Sequence, residues 1–334
     1  MIKKHDIVII GGGPVGLCFA ASVASLGLHI AIVEKQSLQN LSSPDCDGRD
    51  IAITHASRKI LTDLGVWLHI PDDAISEIQQ AKVLNGASPY VLDFNARDVG
   101  EGKLASIVSN HLIRKAAFDN LKRYTNVSFI TDVTAINAYS NDQAAFLTLS
   151  NGTKISCSLL IAADSRFSSI RQQMGISAKI DDFGKTIIVF QMELEKAHHN
   201  IAYECFYYGC TLAVLPLCDN KCSIVMTISP DKGDHFMTMS AERLNAEIEA
   251  RFSFKYGKMK LIGKRFSYPL ISVYANNFIG KCFALIGDAA VGMHPVTAHG
   301  FNFGVKGQYN LANEVKNAVK RKQHIGPNFP KNYR

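Results

Sequence analysis

No apolar run in this sequence reaches about 18 residues, the length a helix needs to cross a bilayer, so no membrane-spanning helix is expected. The first residues, Met1-Ile-Lys-Lys-His5, enter an apolar strand at once and leave no room for a signal peptide. There is no CxxC pair and no Cys/His grouping with ligand spacing, so no metal is expected. The eight cysteines lie mostly inside apolar stretches and read as reduced thiols of a cytosolic protein. Cys218 and Cys222 flank an Asp219-Asn220 turn, where they could face each other. His198-His199 reads as a polar loop pair. The net charge of +7 comes without an arginine-rich arm or a nucleic-acid motif. That basic excess reads as a solvated surface, with at most a weak pull toward anionic lipid or a partner. Internal repeats and low-complexity segments are absent as well.

What is present organises itself around the first strand and turn. Ile7 to Ile10 reads as a strand buried on both faces. It runs into Gly11-x-Gly13-x-x-Gly16, with Pro14 opening the next helix, about Pro14 to Gly27. In this pattern the first glycine permits a tight turn, the second admits a pyrophosphate, and the third lets helix and strand pack closely. The helix then points free N–H groups and a positive dipole end at the phosphates. A second strand, His29 to Val33, ends in Glu34, 18 residues after Gly16. An acid there can accept from the ribose hydroxyls of an adenine dinucleotide. FAD and NAD both satisfy these features.

Farther along, Asp47-Gly-Arg49-Asp-Ile-Ala52 leads into a helix, Thr54 to Leu64. Arg49 is compatible with a surface charge or with closure over a bound flavin or phosphate. Ile75 to Phe94 reads as two strands joined at Asn85-Gly86. Asn110 reads as the N-cap of a helix to Arg123. A strand, Leu159 to Ala163, ends in Asp164-Ser165, where the acid is either a cap or a ligand. From Gly184 to Tyr274 the strands lengthen and alternate: Thr186–Leu194, Tyr203–Tyr208, Leu212–Leu217, Lys221–Ile228 and, after a helix, Ile262–Tyr268. This predicts an antiparallel sheet inserted in the dinucleotide fold. A last buried strand, Cys282 to Ile286, ends in Gly287-Asp288, and a long helix runs from near Gly300 to Arg321.

The three separated motifs, GxGxxG with Glu34, then Asp164, then Gly287-Asp288, resemble the flavin-dependent aromatic hydroxylases of the para-hydroxybenzoate hydroxylase group. The run Asp47-x-Arg49-x-x-Ala52, continuing through Ser57, Leu61, Leu64-Gly65 and Trp67, resembles the UbiH/UbiI/UbiF hydroxylases of ubiquinone biosynthesis. Met293 to Asn302 is most similar to their UbiM branch, and Gly209 to Leu217 resembles the strand that ends in Leu-Pro-Leu in this group. The chain departs from the wider pattern at Ser165, Val291 and Ala298. Family members continue past the long helix, so the resemblance implies further C-terminal helices beyond Tyr333-Arg334.

The resemblance implies an α/β fold: a Rossmann-like FAD-binding domain (1–72, 98–180 and 276–322), an inserted antiparallel-sheet substrate domain (73–97 and 181–275) and an irregular tail (323–334). Gly11, Gly13, Pro14 and Gly16 would hold the FAD pyrophosphate, and Glu34 with Lys35 the adenosine end. Arg49, Asn110, Val133, Asp164, Gly287 and Asp288 would line the rest of the cofactor. Pro295, Gly300, Phe301 and Asn302 would pass beside the flavin ring, with His294, Pro295 and His299 as the catalytic-loop candidates. Phe206, Tyr208 and Pro216 would line the substrate pocket. The implied reaction hydroxylates the ring of a polyprenyl phenol with NAD(P)H and O2, through a flavin C4a-hydroperoxide. Implied partners are that hydrophobic substrate and other ubiquinone-biosynthesis proteins, in the cytoplasm with peripheral contact at the inner membrane and without nucleic acid. Two alternatives stay open: an FAD oxidoreductase acting on another aromatic or isoprenoid, and an FAD-binding protein without turnover. A plain NAD dehydrogenase leaves the Asp288 motif unexplained.

Overall fold

The structure, a computed structural model, describes residues 2–100, 102–293, 299–326, 329 and 333. Its first sheet is built on the strand Lys3–Ile10, whose last four residues are buried. Parallel neighbours flank it on both sides, Ile30–Val33 on one and Lys154–Ala162 on the other. The sheet continues outward to Val127–Ile130 at one edge and to Phe283–Leu285 and Ile279–Gly280 at the other. Alternation then divides the core. Ile7 and Ile9 point to the helices Pro14–Ala24, Asn110–Leu121 and His299–Lys320. Val8 and Ile10 point to a second layer with Leu147, Leu149 and Ile170.

The second sheet has eight strands in the order Val291–Gly292, Met259–Ala275, Ala178–Leu194, Lys221–Ile228, Cys210–Pro216, Ile201–Tyr207, Gln80–Asn85, Val91–Asn95. The helices Pro230–Thr238 and Ala241–Arg251 cover one face, over Ile188, Phe190, Leu212, Val214, Ile224 and Met226. The opposite face, called inner here, meets a small third sheet of Asp50–Ile53, Ala105–Ser109 and Ser76–Ile78. There Ala202, Leu215 and Leu217 pack with Ile78 and Ile107. The α/β organisation with a largely antiparallel second sheet is the one the sequence predicts.

Several boundaries differ from expectation for identifiable reasons. Two strands are 17 residues long, Ala178–Leu194 and Met259–Ala275. Lys179, Asp181, Asp182 and Gly184 interrupt the apolar alternation of the first, so its early half does not read as strand. The ladder itself shifts register between Asp182 and Thr186. The segment from Ile75 divides between two sheets: Ser76–Ile78 joins the small one, and Gln80–Asn85 with Val91–Asn95 forms the edge hairpin of the large one. Asn110 is not the cap of its helix. Ser109 holds that position, with its hydroxyl donating to Asp50 Oδ1 at 2.5 Å. Cys218 does not meet Cys222. Its Sγ lies 3.2 Å from Ser76 Oγ, while Cys222 is buried in the helix-covered core. All eight cysteines are free.

Candidate functional site

The glycine turn is shaped by close approach. Gly11 has φ of +110°, and a Cβ there would strike the Ala163 carbonyl. A Cβ at Gly16 would strike the Gly11 carbonyl oxygen, so first helix and first strand touch backbone to backbone. Gly13 is different: nothing lies within 4 Å of where its Cβ would be. It caps the helix Pro14–Ala24 without a side-chain hydrogen bond, with Pro14 in the first turn. Open space in front of uncapped helical N–H groups is the cradle an anionic pyrophosphate needs.

Behind the turn, Glu34 is 7% exposed. Its Oε2 accepts from Gly12 N at 2.6 Å and its Oε1 from Gln36 N at 3.0 Å. Val133 is buried beside it, its N–H directed at the Glu34 carbonyl, and Lys35 is exposed. Arg114 closes this end. Its Nε donates to Gly12 O at 2.9 Å, another nitrogen to Gln36 Oε1, and its guanidinium lies 3.9 Å from Glu34 Oε1. Sequence reasoning missed Arg114. The available signal was its i, i+4 spacing from Asn110 on one helix face.

A second cluster forms around Asp47. Arg49 donates to it from Nε at 3.0 Å and from a terminal nitrogen at 2.5 Å, and Asn110 Nδ2 donates at 2.7 Å. Tyr268, from the large sheet, donates its hydroxyl to Asp47 O at 2.6 Å. Burial alone would raise the Asp47 pKa, but the Arg49 charge and the Arg49 and Asn110 hydrogen bonds outweigh it and hold the carboxyl below its usual range. Beside it, Gln191 Nε2 donates to Asp50 Oδ2 at 3.0 Å, tying the inner face of the large sheet to this cluster.

The third motif is held by two arginines that the sequence did not single out. Arg171 is 1% exposed and donates to Ala289 O at 2.9 Å and to Arg166 O at 3.0 Å. Arg166 donates to Ile271 O at 2.9 Å and lies 3.5 Å from Asp288 Oδ2. Gly287 and Gly304 let the long helix close onto the first: a Cβ at Gly304 would meet Val15 at 2.8 Å. Asp164 ends its strand beside Gly11, exposed to solvent.

The remaining candidates divide. His294 and Pro295 lie outside the described residues. His299 opens the long helix, exposed and stacked on Phe303 with centroids 5.2 Å apart. Gly300 has open space where its Cβ would be, and Phe301 packs against the helix-side core. Asn302 is 7% exposed: its Oδ1 accepts from Thr54 N at 3.0 Å and its Nδ2 donates to Ala52 O at 2.8 Å. It thereby ties the helix start to the Arg49 segment. Of Phe206, Tyr208 and Pro216, only Phe206 lies on the inner face by alternation. Tyr208 is fully exposed past the strand end, and Pro216 shares the helix-covered side with Leu212 and Val214.

Glycine turn, buried acid, uncapped helix with open space in front of Gly13, and Asp288 turn are together compatible with FAD. The chain matches the FAD binding domain family over residues 4–323. It is 42% identical over 330 residues to the ubiquinone hydroxylase UbiM of Neisseria meningitidis, covering 98% of this chain and 72% of that protein. It is 31% identical to the ubiquinone hydroxylase UbiL of Rhodospirillum rubrum, covering 94% of this chain and 72% of that one. Among solved structures, p-nitrophenol 4-monooxygenase PnpA of Pseudomonas putida superposes with a TM-score of 0.79 at 15% identity, over 97% of this chain and 82% of that one, which shows a shared fold. The chain therefore belongs to the FAD binding domain family, in the group of the ubiquinone hydroxylases.

Proposed function

We propose that this protein is an FAD-dependent monooxygenase that hydroxylates the aromatic ring of a hydrophobic quinone precursor, a polyprenyl phenol, in ubiquinone biosynthesis. The observation that carries this reading is the link between two surfaces. The cofactor cradle and the apolar inner face of the large sheet are joined through Gln191 to Asp50 and Tyr268 to Asp47. When bound, FAD supplies the electron acceptor for NAD(P)H and the reaction with O2 that delivers one oxygen atom to the ring.

The chain's own residues bind, orient and exclude water. Gly11, Gly13, Pro14 and Gly16 receive the pyrophosphate, and Glu34 with Lys35 and Val133 forms the adenosine end. Arg49 and Asn110, fixed by Asp47, stand at the side of the cofactor, with Asp164, Gly287 and Asp288 along its length. Gly300, Phe301 and Asn302 are assigned, with His299, to the ring side of the cofactor; His294 and Pro295, which lie outside the described residues, are assigned with them from the sequence resemblance. The positive N-terminal end of the long helix favours negative charge on the cofactor. We assign cofactor binding to 1–72, 98–180 and 276–322, and substrate binding to 73–97 and 181–275.

The inner face suits an apolar tail. One cross-strand row runs through Val189, Val225, Ala213, Glu204, Val83 and Leu92, apolar but for Glu204, and the next runs from Leu215 and Ala202 to Ala81 and Phe94. Leu92 and Phe94 are 43% and 48% exposed at the sheet edge, where the tail would leave the protein toward a membrane surface. Among the described residues no helix is long and apolar enough to cross a membrane.

Turnover of a short-chain prenylated phenol under labelled O2 tests the assignment. One labelled oxygen in the ring, with NAD(P)H consumed in equal amount, is the expected result. A reduced or rearranged product without label would point to the oxidoreductase alternative.

A further inference from the structure

Charged residues of the inner face of the large sheet gather in an end row, Glu193 with Lys221 and Lys260, and away from that row one acid stands among neutral residues. Glu204, on the strand Ile201–Tyr207, lies opposite Ala213 on one neighbouring strand and Val83 on the other. Its same-face neighbours along the strand are Ala202 and Phe206, and Ala202 belongs to the apolar contact with the small sheet. Among the described residues its carboxyl has no hydrogen bond and no ion pair. A carboxylate held in apolar surroundings without a partner costs stability. The buried acids of the cofactor cradle, Glu34 and Asp47, are by contrast engaged.

The charged groups of the packed elements are turned away or already paired. Lys82 and Asp93 pair with each other on the helix-covered side of the edge hairpin. From the small sheet, Asp50 is held by Ser109 and Gln191, and Glu77 by Lys103. Cys205, next in the chain, feels the Glu204 charge but lies on the opposite face.

We infer that Glu204 is a catalytic residue that accepts the proton of the substrate's phenolic hydroxyl, an inference that rests on the reading of the protein as a phenol hydroxylase. In this step the phenol O–H bond breaks, an O–H bond forms on the Glu204 carboxylate, and the electron pair stays on the phenolic oxygen. The ring gains electron density at the positions that receive oxygen. No oxidant or reductant enters the step, and the proton can return to the oxygen before the product leaves. Burial pushes the Glu204 carboxyl up to about 7. A base poised near neutral pH is the kind that proton transfer at neutral pH favours.

The test uses the FAD-loaded protein and a diprenyl phenol, with Glu204→Gln and Glu204→Asp variants checked first for FAD content and melting temperature. For the wild type, the hydroxylation rate should rise with pH through about 7 as the carboxylate forms. Glu204→Gln should lower hydroxylation about 100-fold, remove that rise, and leave NAD(P)H reduction of the flavin in place, while Glu204→Asp restores part of the rate. Full activity and an unchanged pH profile in Glu204→Gln would overturn the inference. A second readout does not need turnover: binding of the phenol against its methyl ether, followed by the flavin spectrum. The wild type at pH 8 should prefer the phenol about tenfold, and Glu204→Gln should lose the preference. If the wild type hydroxylates no phenol, the proposed reaction fails, and this preference alone decides whether Glu204 engages a hydroxyl. An equal preference in both proteins would overturn it.

Discussion

The cofactor cradle and the inner face of the large sheet are built in opposite ways. In the cradle, the glycine turn and its helix come from residues close in sequence, and its buried acids are held by hydrogen bonds: Glu34 by Gly12 and Gln36, Asp47 by Arg49 and Asn110. The inner face is assembled by register from strands more than a hundred residues apart, Gln80–Asn85 beside Ile201–Tyr207. Away from its charged end row it is largely apolar, and among the described residues the Glu204 carboxyl has no hydrogen bond or ion pair. On the proposed reading, the cradle holds a charged cofactor by supplying fixed dipoles, whereas the sheet accepts an apolar ligand by offering few polar groups and one acid, Glu204.

The sharpest way to break the cradle is at Gly11. Gly11→Ala must adopt φ of +110° and press on the Ala163 carbonyl. The expected cost is about 2–4 kcal/mol with loss of bound FAD, measured by melting temperature and flavin content. Next is Arg171→Met, which removes a buried guanidinium and leaves the Ala289 and Arg166 carbonyls without their donor. A loss of about 2–3 kcal/mol in urea unfolding is expected, with weakened FAD retention through the displaced Asp288 turn.

Asp47→Asn should act more locally. It keeps the shape but releases Arg49, and FAD affinity should fall about tenfold by titration, the loss expected for a charge-assisted pair. The pH dependence has a defined sign. The folded pKa of Asp47 is depressed. Its contribution is therefore present above the unfolded value near 4 and is lost as pH falls through the lower folded value. FAD retention at pH 5 should match that at pH 7, and release should begin only below about pH 4. The smallest effect is expected at the exposed edge. Leu92→Ser with Phe94→Ser should change stability by less than about 0.5 kcal/mol per site. It should raise KM for a long-tailed phenol while sparing a short one; equal effects on both would remove the tail from this edge.

The same contrast explains what could be read from the sequence. The glycine turn, its helix and Glu34 were legible because adjacent residues fix their geometry. So was the long helix, His299–Lys320, with its sustained helical pattern. Arg114, Arg166 and Arg171 were not, since their partners are carbonyls and side chains brought near by tertiary packing. Asn110 was readable as important but is not the helix cap its position predicts: the cap belongs to Ser109, and the Asn110 amide reaches Asp47. Glu204 stayed hidden for a further reason. An acid within a strand usually faces water, and only the register with Ala213 and Val83 places it on the apolar side.

The most direct test of the central claim is the visible absorption of the purified protein after reconstitution with FAD, followed during anaerobic addition of NAD(P)H and then of O2. Flavin bands that bleach with NAD(P)H and return with O2, faster reduction in the presence of a prenylated phenol, and a hydroxylated product are predicted. A protein that takes up no FAD, or whose bound flavin is never reduced by NAD(P)H, would contradict it.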